Sequence, residues 1–205
     1  TYASTAPAPT AVRTVAANRT AAQWETDLGA TTLQVKATDG STPWVGGTPS
    51  TGLNTSAGAA GTVTTVTGLG IGVETGGGAG TTDTQRIQAN EYLIINLDAQ
   101  SRNTDITFNA LGAGETAQWY AFDATGNYVT EGTFTNTGAG QIQANTPFQY
   151  IVFSAAGTSA YSVNGLSALP PINPVVFNYT VNDIDGSTSS TTLTINTSLG
   201  IAAAP

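Results

Sequence analysis

Residues 91–98 read EYLIINLD and form the clearest strand pattern in the first half of the chain. Leu93, Ile95 and Leu97 alternate with their neighbours and therefore share one face of an extended strand. Ile94 is apolar on the other face, which indicates a strand that is buried on both sides. Similar short runs recur between Gly, Asn and Asp residues, whereas helix signals are poor. The sequence predicts an all-β fold, an antiparallel β-sandwich with long Gly/Ser/Asp-rich loops.

The charge and composition exclude several classes of partner. The chain has 205 residues and a net charge of -8, from 13 acidic and five basic residues. Nucleic acid is an unfavourable partner, because phosphates are neutralised by clusters of Lys and Arg. No apolar run is long enough to span a membrane, so we expect no membrane insertion. The chain begins with Thr1 rather than methionine, and we expect a monomeric module within a larger chain.

Three residue types are absent from the chain, and two of them carry much of enzyme chemistry. The chain has no cysteine, no histidine and no methionine. Cys and His nucleophile systems, His-based triads and ordinary zinc sites are therefore excluded. A pair of carboxylates could still serve a glycosidase, but that depends on their separation in space. We predict that the protein is not an enzyme, and that any metal is held by oxygen, which points to Ca²⁺ or Mg²⁺.

Composition shifts divide the chain into three segments. Residues 1–22 form an N-terminal arm that contains Pro7 and Pro9. Residues 23–169 contain the main series of strands, including a hairpin on either side of residues 123–127. A boundary at Pro170 and Pro171 precedes residues 170–205, which read as a terminal hairpin. The turn of that hairpin is not an EF-hand, because its twelfth position is a threonine rather than an acid.

Acidic residues and glycines occur together in the predicted loops. Glycines let backbone carbonyls approach a cation, and nearby carboxylates would complete an oxygen site. The alternative is that these acids are solvated turn residues, since Asp favours turns. The acids that cluster around the loops are Asp39, Glu74, Asp83, Glu91, Glu115 and Asp123.

Four aromatic side chains are candidates for stacking on a sugar or capping a peptide: Trp24, Trp44, Trp119 and Tyr120. The alternative is that they belong to the core, as most aromatics in a sandwich do. Trp44 lies in a loop rich in Pro and Gly and is expected to be the most exposed. Trp119 and Phe122 fall on opposite faces of one strand, so at least one of them is expected in the core.

The C-terminal segment resembles a known stalk repeat. Residues 176–187 (VFNYTVNDIDGS) and 191–195 (TTLTI) are similar to the closing hairpin of bacterial immunoglobulin-like repeats. Such repeats fill the giant adhesins that are exported by type I secretion. The resemblance implies that the arm and residues 170–205 pair as one split stalk domain, interrupted by the segment between them.

The middle of the chain resembles the ligand-binding modules near the tip of the same RTX adhesins. The matching segments are residues 68–73 (GLGIGV), 86–95 (RIQANEYLII) and 114–127 (GETAQWYAFDATGN). The resemblance implies a calcium-rich β-sandwich in a secreted protein at the bacterial cell surface, active in cell adhesion and biofilm. The peptide-binding kind is thought to hold the C-terminal carboxylate of a partner on another cell against calcium.

The acids in the predicted loops give the candidate metal ligands, which are Glu74, Glu91, Asp123, Asp39 and Asp83. Of these, Glu91 and Asp123 lie in the matching segments. The resemblance implies contacts to the ligand at Gly70, Gly72, Gln88 and Tyr120. An acid is expected where this chain has Gln88, and a Gln carbonyl would coordinate with less charge.

Three functions remain as alternatives at this stage. The first is a calcium-dependent adhesion module that binds a peptide C-terminus. The second is a carbohydrate-binding module with a glycan as partner, which an exposed row of aromatics would favour. The third is a structural stalk segment that calcium makes rigid, although a simple repeat is nearer to about 100 residues.

Overall fold

The structure is a computed structural model. It describes residues 13–28, 33–36, 42–55, 61–66, 68–75, 86–109, 111–135, 137–169, 175–182 and 184–195. The chain divides into one unit of Val12–Pro170 and another of Thr1–Ala11 with Pro171–Pro205. The predicted pairing of the N-terminal arm with the C-terminal hairpin falls largely on residues 1–12, which lie outside the described residues, and it stays a prediction.

The larger unit contains nine strands and one α-helix among its described residues. Its elements, in chain order, are β1 (Arg13–Val15), α1 (Ala21–Leu28), β2 (Leu33–Lys36), a 3-10 turn (Pro49–Thr51), β3 (Gly61–Val66), β4 (Gly70–Thr75), β5 (Tyr92–Asn109), β6 (Thr116–Phe122), β7 (Tyr128–Thr135), β8 (Ala139–Ala155) and β9 (Ser162–Leu169). The strand order is β3-β4-β9-β5-β8-β6-β7, with β1 added to β9 and β2 added to β5. All of these pairings are antiparallel.

Two long strands, β5 and β8, connect the two halves of the sandwich. The first half-sheet contains β2, β6, β7, the start of β5 and the end of β8, and the second contains β1, β3, β4, β9, the end of β5 and the start of β8. The first part of β5 pairs with β2 and with the end of β8, whereas its second part pairs with β9 and with the start of β8. The register of β5 and β8 shifts on either side of Ser101. Asp98 has a φ of 56°, a left-handed conformation that a regular strand does not use. The strands therefore bend here and continue into the second half-sheet.

The inner faces of the half-sheets meet in one aromatic core. Phe108, from the second half-sheet, lies 5.3 Å from Phe134 and 6.0 Å from Phe153 of the first, measured between ring centroids. Leu93, Ile95 and Leu97 have no exposed surface, and Ile94 is buried on the opposite face. The predictions of an antiparallel β-sandwich and of a strand buried on both sides are confirmed.

Helix α1 is the main element that the strand patterns did not predict. Thr20 and Gln23 form a reciprocal capping box, in which each backbone N–H donates to the side-chain oxygen of the other. Trp24 and Leu28 are fully buried in the core. Arg19 Nε lies 3.2 Å from Asp27 Oδ2, as an ion pair rather than an aligned hydrogen bond. Capping and burial stabilise this short helix where propensity alone is weak.

The smaller unit contains a two-stranded hairpin. Strands β10 (Val175–Asn182) and β11 (Thr188–Ile195) pair from Val175↔Ile195 to Asn182↔Thr188. In the turn, the Ser187 N–H donates to Asp185 Oδ1 over 2.9 Å, and Gly186 has a φ of 87°. A hairpin is thus present in the segment for which one was predicted, and its likeness to a stalk repeat stays a prediction. Within the described part of the chain, no helix has the length and apolar character needed to cross a membrane.

Candidate functional site

An aromatic surface covers the outer face of the first half-sheet. The cross-strand register places Ile94, Val152, Tyr120 and Glu131 in one row across β5, β8, β6 and β7. It places Asn96, Tyr150, Phe122 and Tyr128 in the next row. Side chains of the other parity point into the sandwich core. We call the four partly exposed tyrosines of this surface the tyrosine face: Tyr92, Tyr120, Tyr128 and Tyr150.

Trp44 lies at the centre of this surface. Its indole is 5.0 Å from Tyr120, 5.4 Å from Tyr92 and 5.6 Å from Phe122, between ring centroids. Only 8% of the Trp44 side chain is exposed. The prediction that Trp44 is the most exposed aromatic was therefore wrong, because its loop folds back onto the sheet. The neighbouring Val45 is 69% exposed instead.

The loop of residues 42–55 is a small folded element. Trp44 and Leu53 form an isolated antiparallel bridge, and the Val45 N–H donates to the Gly52 carbonyl over 2.9 Å. The loop is joined to the β6–β7 turn, where the Leu53 N–H donates to the Gly126 carbonyl over 2.8 Å. A Cβ on Gly126 would lie 2.7 Å from the Leu53 carbonyl oxygen, and its φ is 86°. Glycine is required at this junction for both reasons.

A β-bulge brings Tyr128 to the tyrosine face. Ala121 pairs with Thr130 but Phe122 pairs with Tyr128, so β7 has one extra residue at Val129. Val129 packs against the inner core, whereas Tyr128 packs with the outer cluster. The Tyr128 ring lies 6.2 Å from Phe122 in an edge-on arrangement. Without the extra residue, Val129 would stand opposite Phe122.

The phenol groups of the tyrosine face are close enough to affect each other. Burial raises the pKa of Tyr120, and Glu131, Tyr92 and Tyr128 raise it further. Burial also raises the pKa of Tyr92, and burial followed by Glu131 raises that of Tyr128. The phenols of Tyr92, Tyr120 and Tyr128 therefore stay protonated at neutral pH and can donate a hydrogen bond.

The hydroxyls of the tyrosine face are available for a ligand. Among the described residues, none of the four phenol oxygens makes a hydrogen bond. Tyr161, by contrast, is fully buried and donates to the Ser154 carbonyl over 2.8 Å. A buried phenol usually finds a partner, and a partly exposed one is hydrated until a ligand replaces the water.

The candidate residues Gln88 and Glu91 lie together in one turn. The Gln88 N–H donates to Glu91 Oε2 over 2.8 Å, and the Glu91 N–H donates to the Gln88 carbonyl over 3.1 Å. Only 2% of Glu91 is exposed. Asn90 has a φ of 63°, which completes the turn. The Glu91 carboxylate thus organises the entry into β5.

Asp123 organises a different turn, between β6 and β7. Its Oδ1 accepts from the backbone N–H groups of Thr125 and Asn127 and from the Thr125 hydroxyl, and its Oδ2 accepts from Asn127 Nδ2. Partial burial acts to raise the pKa of Asp123. The hydrogen bonds from Thr125 and Asn127 outweigh burial and hold the pKa below its ordinary value.

The remaining candidates lie elsewhere or outside the described residues. Glu74 is exposed on β4, and β9, β5 and β8 separate this strand from β6 in the sheet order. Gly70 and Gly72 lie on β4 too, and a Cβ on Gly70 would overlap the Val163 carbonyl. Tyr120 belongs to the tyrosine face. Asp39 and Asp83 lie outside the described residues.

The described acids among the candidates are not gathered around one position. In the portion of the chain that is described, no three Asp or Glu side chains come together around a possible metal position. Calcium requires six to eight oxygens. Glu74 lies on β4, Glu91 in the turn before β5 and Asp123 in the turn between β6 and β7. The predicted ligand set stays a prediction.

The sequence patterns predict only one of the four tyrosines of this surface as a site residue. Tyr120 was a candidate, but Tyr92, Tyr128 and Tyr150 were not. Tyr92 and Tyr150 each occupy an outward position in an alternating strand, so strand parity could have identified them. Tyr128 could not be found in this way, because the bulge at Val129 changes the parity of β7.

Comparisons with known proteins give only weak similarities. No protein-family model matches the chain, and no curated protein matches it. One similar solved structure is "CBM32 of AlyQ in complex with 4,5-unsaturated mannuronic acid", with 15% identity, a TM-score of 0.30 and coverage of 44% of this chain and 81% of that one. Another is chitosan-binding module 1 of a chitosanase/glucanase from Paenibacillus sp. IK-5, with 14% identity, a TM-score of 0.29 and coverage of 43% and 79%.

Proposed function

We propose that the chain is a non-catalytic adhesion module that binds a glycan through the tyrosine face. The observation that carries this proposal is the group of four partly exposed tyrosines around the buried Trp44. Monomeric proteins rarely leave a continuous apolar patch exposed without a use for it. A rigid patch with hydroxyls at its edges suits a ligand that has both apolar and polar surfaces.

The chemistry of a sugar matches this surface. A pyranose ring presents C–H groups on its face and hydroxyls at its rim. The ring face can stack on a tyrosine, and the phenol oxygen can exchange hydrogen bonds with a hydroxyl. Asn96 and Gln149, joined by a 3.1 Å hydrogen bond, add amide groups beside Tyr150.

The surface is rigid, which reduces the cost of binding. The tyrosines stand on paired strands rather than on loops. Trp44, from the loop of residues 42–55, makes edge-on contacts with both Tyr92 and Tyr120. A preformed site loses little side-chain entropy when a ligand binds. Affinity for a short glycan is expected in the micromolar range or weaker, with adhesive strength from many copies on one surface.

The peptide alternative has less support from the described geometry. It requires a calcium ion with open coordination positions, and the described acids are not gathered around one. The location at a bacterial cell surface rests on the resemblance of residues 68–73, 86–95 and 114–127 to RTX adhesin modules. It is proposed on that basis.

The test is a glycan array and a C-terminal peptide library, each probed with the intact chain with calcium and with a chelator. We expect glycan hits that persist in chelator. Tyr120→Ala should weaken binding about tenfold or more, and Tyr120→Phe less, because it keeps the ring. Thr107→Ala, an exposed change on the second half-sheet, is the control and should bind normally. Peptide hits that require calcium and a free carboxylate would replace this proposal with the peptide one.

A further inference from the structure

We propose that the tyrosine face selects a glycan that carries a positive charge, an amino sugar with a free ammonium group, and that Glu131 sets this preference. The inference rests on the proposed function and adds the charge class of the ligand. It is drawn from the position of Glu131 among the tyrosines and from the charges that are missing around it.

Glu131 lies within the aromatic surface. It pairs directly with Tyr120 across β6 and β7, and side chains directly opposite each other in a sheet have Cβ atoms about 5 Å apart. Its side chain is exposed. The Glu131 charge also contributes to the raised pKa of both Tyr120 and Tyr128, which agrees with a carboxylate near both phenols.

No basic side chain neutralises this carboxylate in the described part of the chain. The one ion pair found there joins Arg19 to Asp27, at helix α1. Glu131 makes neither a hydrogen bond nor an ion pair with any described residue. It is therefore a solvated negative charge near the phenols of Tyr120 and Tyr128, and it can pair with a charge that the ligand brings.

Two attractions would act on an ammonium group here. The faces of Tyr120 and Tyr128 attract cations through their quadrupoles. Glu131 adds a charge-assisted hydrogen bond. The net charge of -8 raises the local concentration of cations and lowers that of anions. An anionic sugar such as a uronate would be repelled by the same carboxylate.

The experiment uses one matched pair of ligands. Oligomers of glucosamine and of N-acetylglucosamine, equal in length, are titrated into the chain at about pH 6, where the free amines of the glucosamine oligomer carry a proton. We expect the free-amine oligomer to bind about tenfold more tightly, and we expect added salt to reduce the difference. Equal affinities, or tighter binding of the acetylated oligomer, would overturn the charge preference.

Two variants assign the preference to one side chain. Glu131→Gln keeps the size of the side chain and should remove most of the difference between the two oligomers, because only the aromatic faces and the overall charge still attract the ammonium group. Glu25→Gln, on α1, changes the net charge equally and should leave the difference intact. An equal preference in the parent and in Glu131→Gln would contradict the role of Glu131. If no glycan of any kind binds, the proposed function itself fails; if only the charge preference is missing, the proposed function stands without this refinement.

Discussion

The Trp44 indole lies 5.0 Å from the Tyr120 ring, with their planes inclined by 65°. These residues belong to the loop 42–55 and to β6, which are far apart in sequence. Edge-on contacts of this kind contribute about 0.5–1.5 kcal/mol beyond the area that they bury. The same contact supports the ligand surface, so the stability of the loop and the shape of the tyrosine face are linked.

Trp44→Ala should therefore lower both stability and binding. Removing a buried tryptophan costs about 3–5 kcal/mol, and Tyr92 and Tyr120 lose the side chain that packs between them. Chemical denaturation and glycan titration would measure the two effects. Trp44→Phe should retain a larger share of each. Stability unchanged in Trp44→Ala would show that the loop does not pack on the sheet.

A substitution at Gly132 can test the packing of the inner core, which lies on the face of β6 and β7 opposite the tyrosine face. A Cβ at this position would lie 2.6 Å from Trp119 Cζ2. Gly132→Ala should destabilise the fold by about 1–3 kcal/mol, because the indole has to move within a packed core. Gly138→Ala is the matched control, since a Cβ there meets nothing within 4 Å. Equal thermal midpoints for the two variants would refute this packing.

The strands were predictable because a repeat of two residues accounts for the buried side chains on both faces of β5. Leu93, Ile95 and Leu97 enter one core, and Ile94 enters the cluster on the other face. Helix α1 was missed because its eight residues are held by a cap and by two buried side chains rather than by a long amphipathic pattern. The exposure of Trp44 was misjudged because a Pro/Gly loop indicates a turn but not the surface on which that turn packs.

The carboxylate of Asp123 should make stability depend on pH. Its pKa is lower in the folded chain than its ordinary value. The stabilisation is therefore present above the unfolded pKa, about 3.9, and is lost as pH falls through the folded pKa. Asp123→Asn should be less stable than the parent at neutral pH, and the difference should shrink in acid. Denaturation curves from neutral pH to about pH 3 would show this. A difference that stays constant with pH would mean that charge is not involved.

The candidate site was predictable to a smaller extent than the fold. Tyr120 could be chosen because it follows Trp119 in a strong hairpin pattern. Tyr128 joins it only through the extra residue at Val129, and a sequence pattern of period two cannot contain that shift. The acidic residues are difficult to interpret from sequence for a different reason. Glu91 and Asp123 satisfy turn geometry, which gives them a structural role whether or not a cation is present.

Calcium binding stays a prediction of the sequence, and a melting experiment can test it. A cation that binds only the folded chain raises the thermal midpoint by mass action, and a few kcal/mol corresponds to several degrees. The intact chain should melt at a higher temperature in calcium than in chelator. Glu91→Gln should reduce this difference, because the amide can still accept from the Gln88 N–H but brings no charge to a cation.

Glu25→Gln is the control and should respond to calcium as the parent does. Identical melting curves in calcium and chelator would remove calcium from the function, and glycan binding through the tyrosine face would be unaffected, since none of the described acids among the predicted metal ligands belongs to that surface.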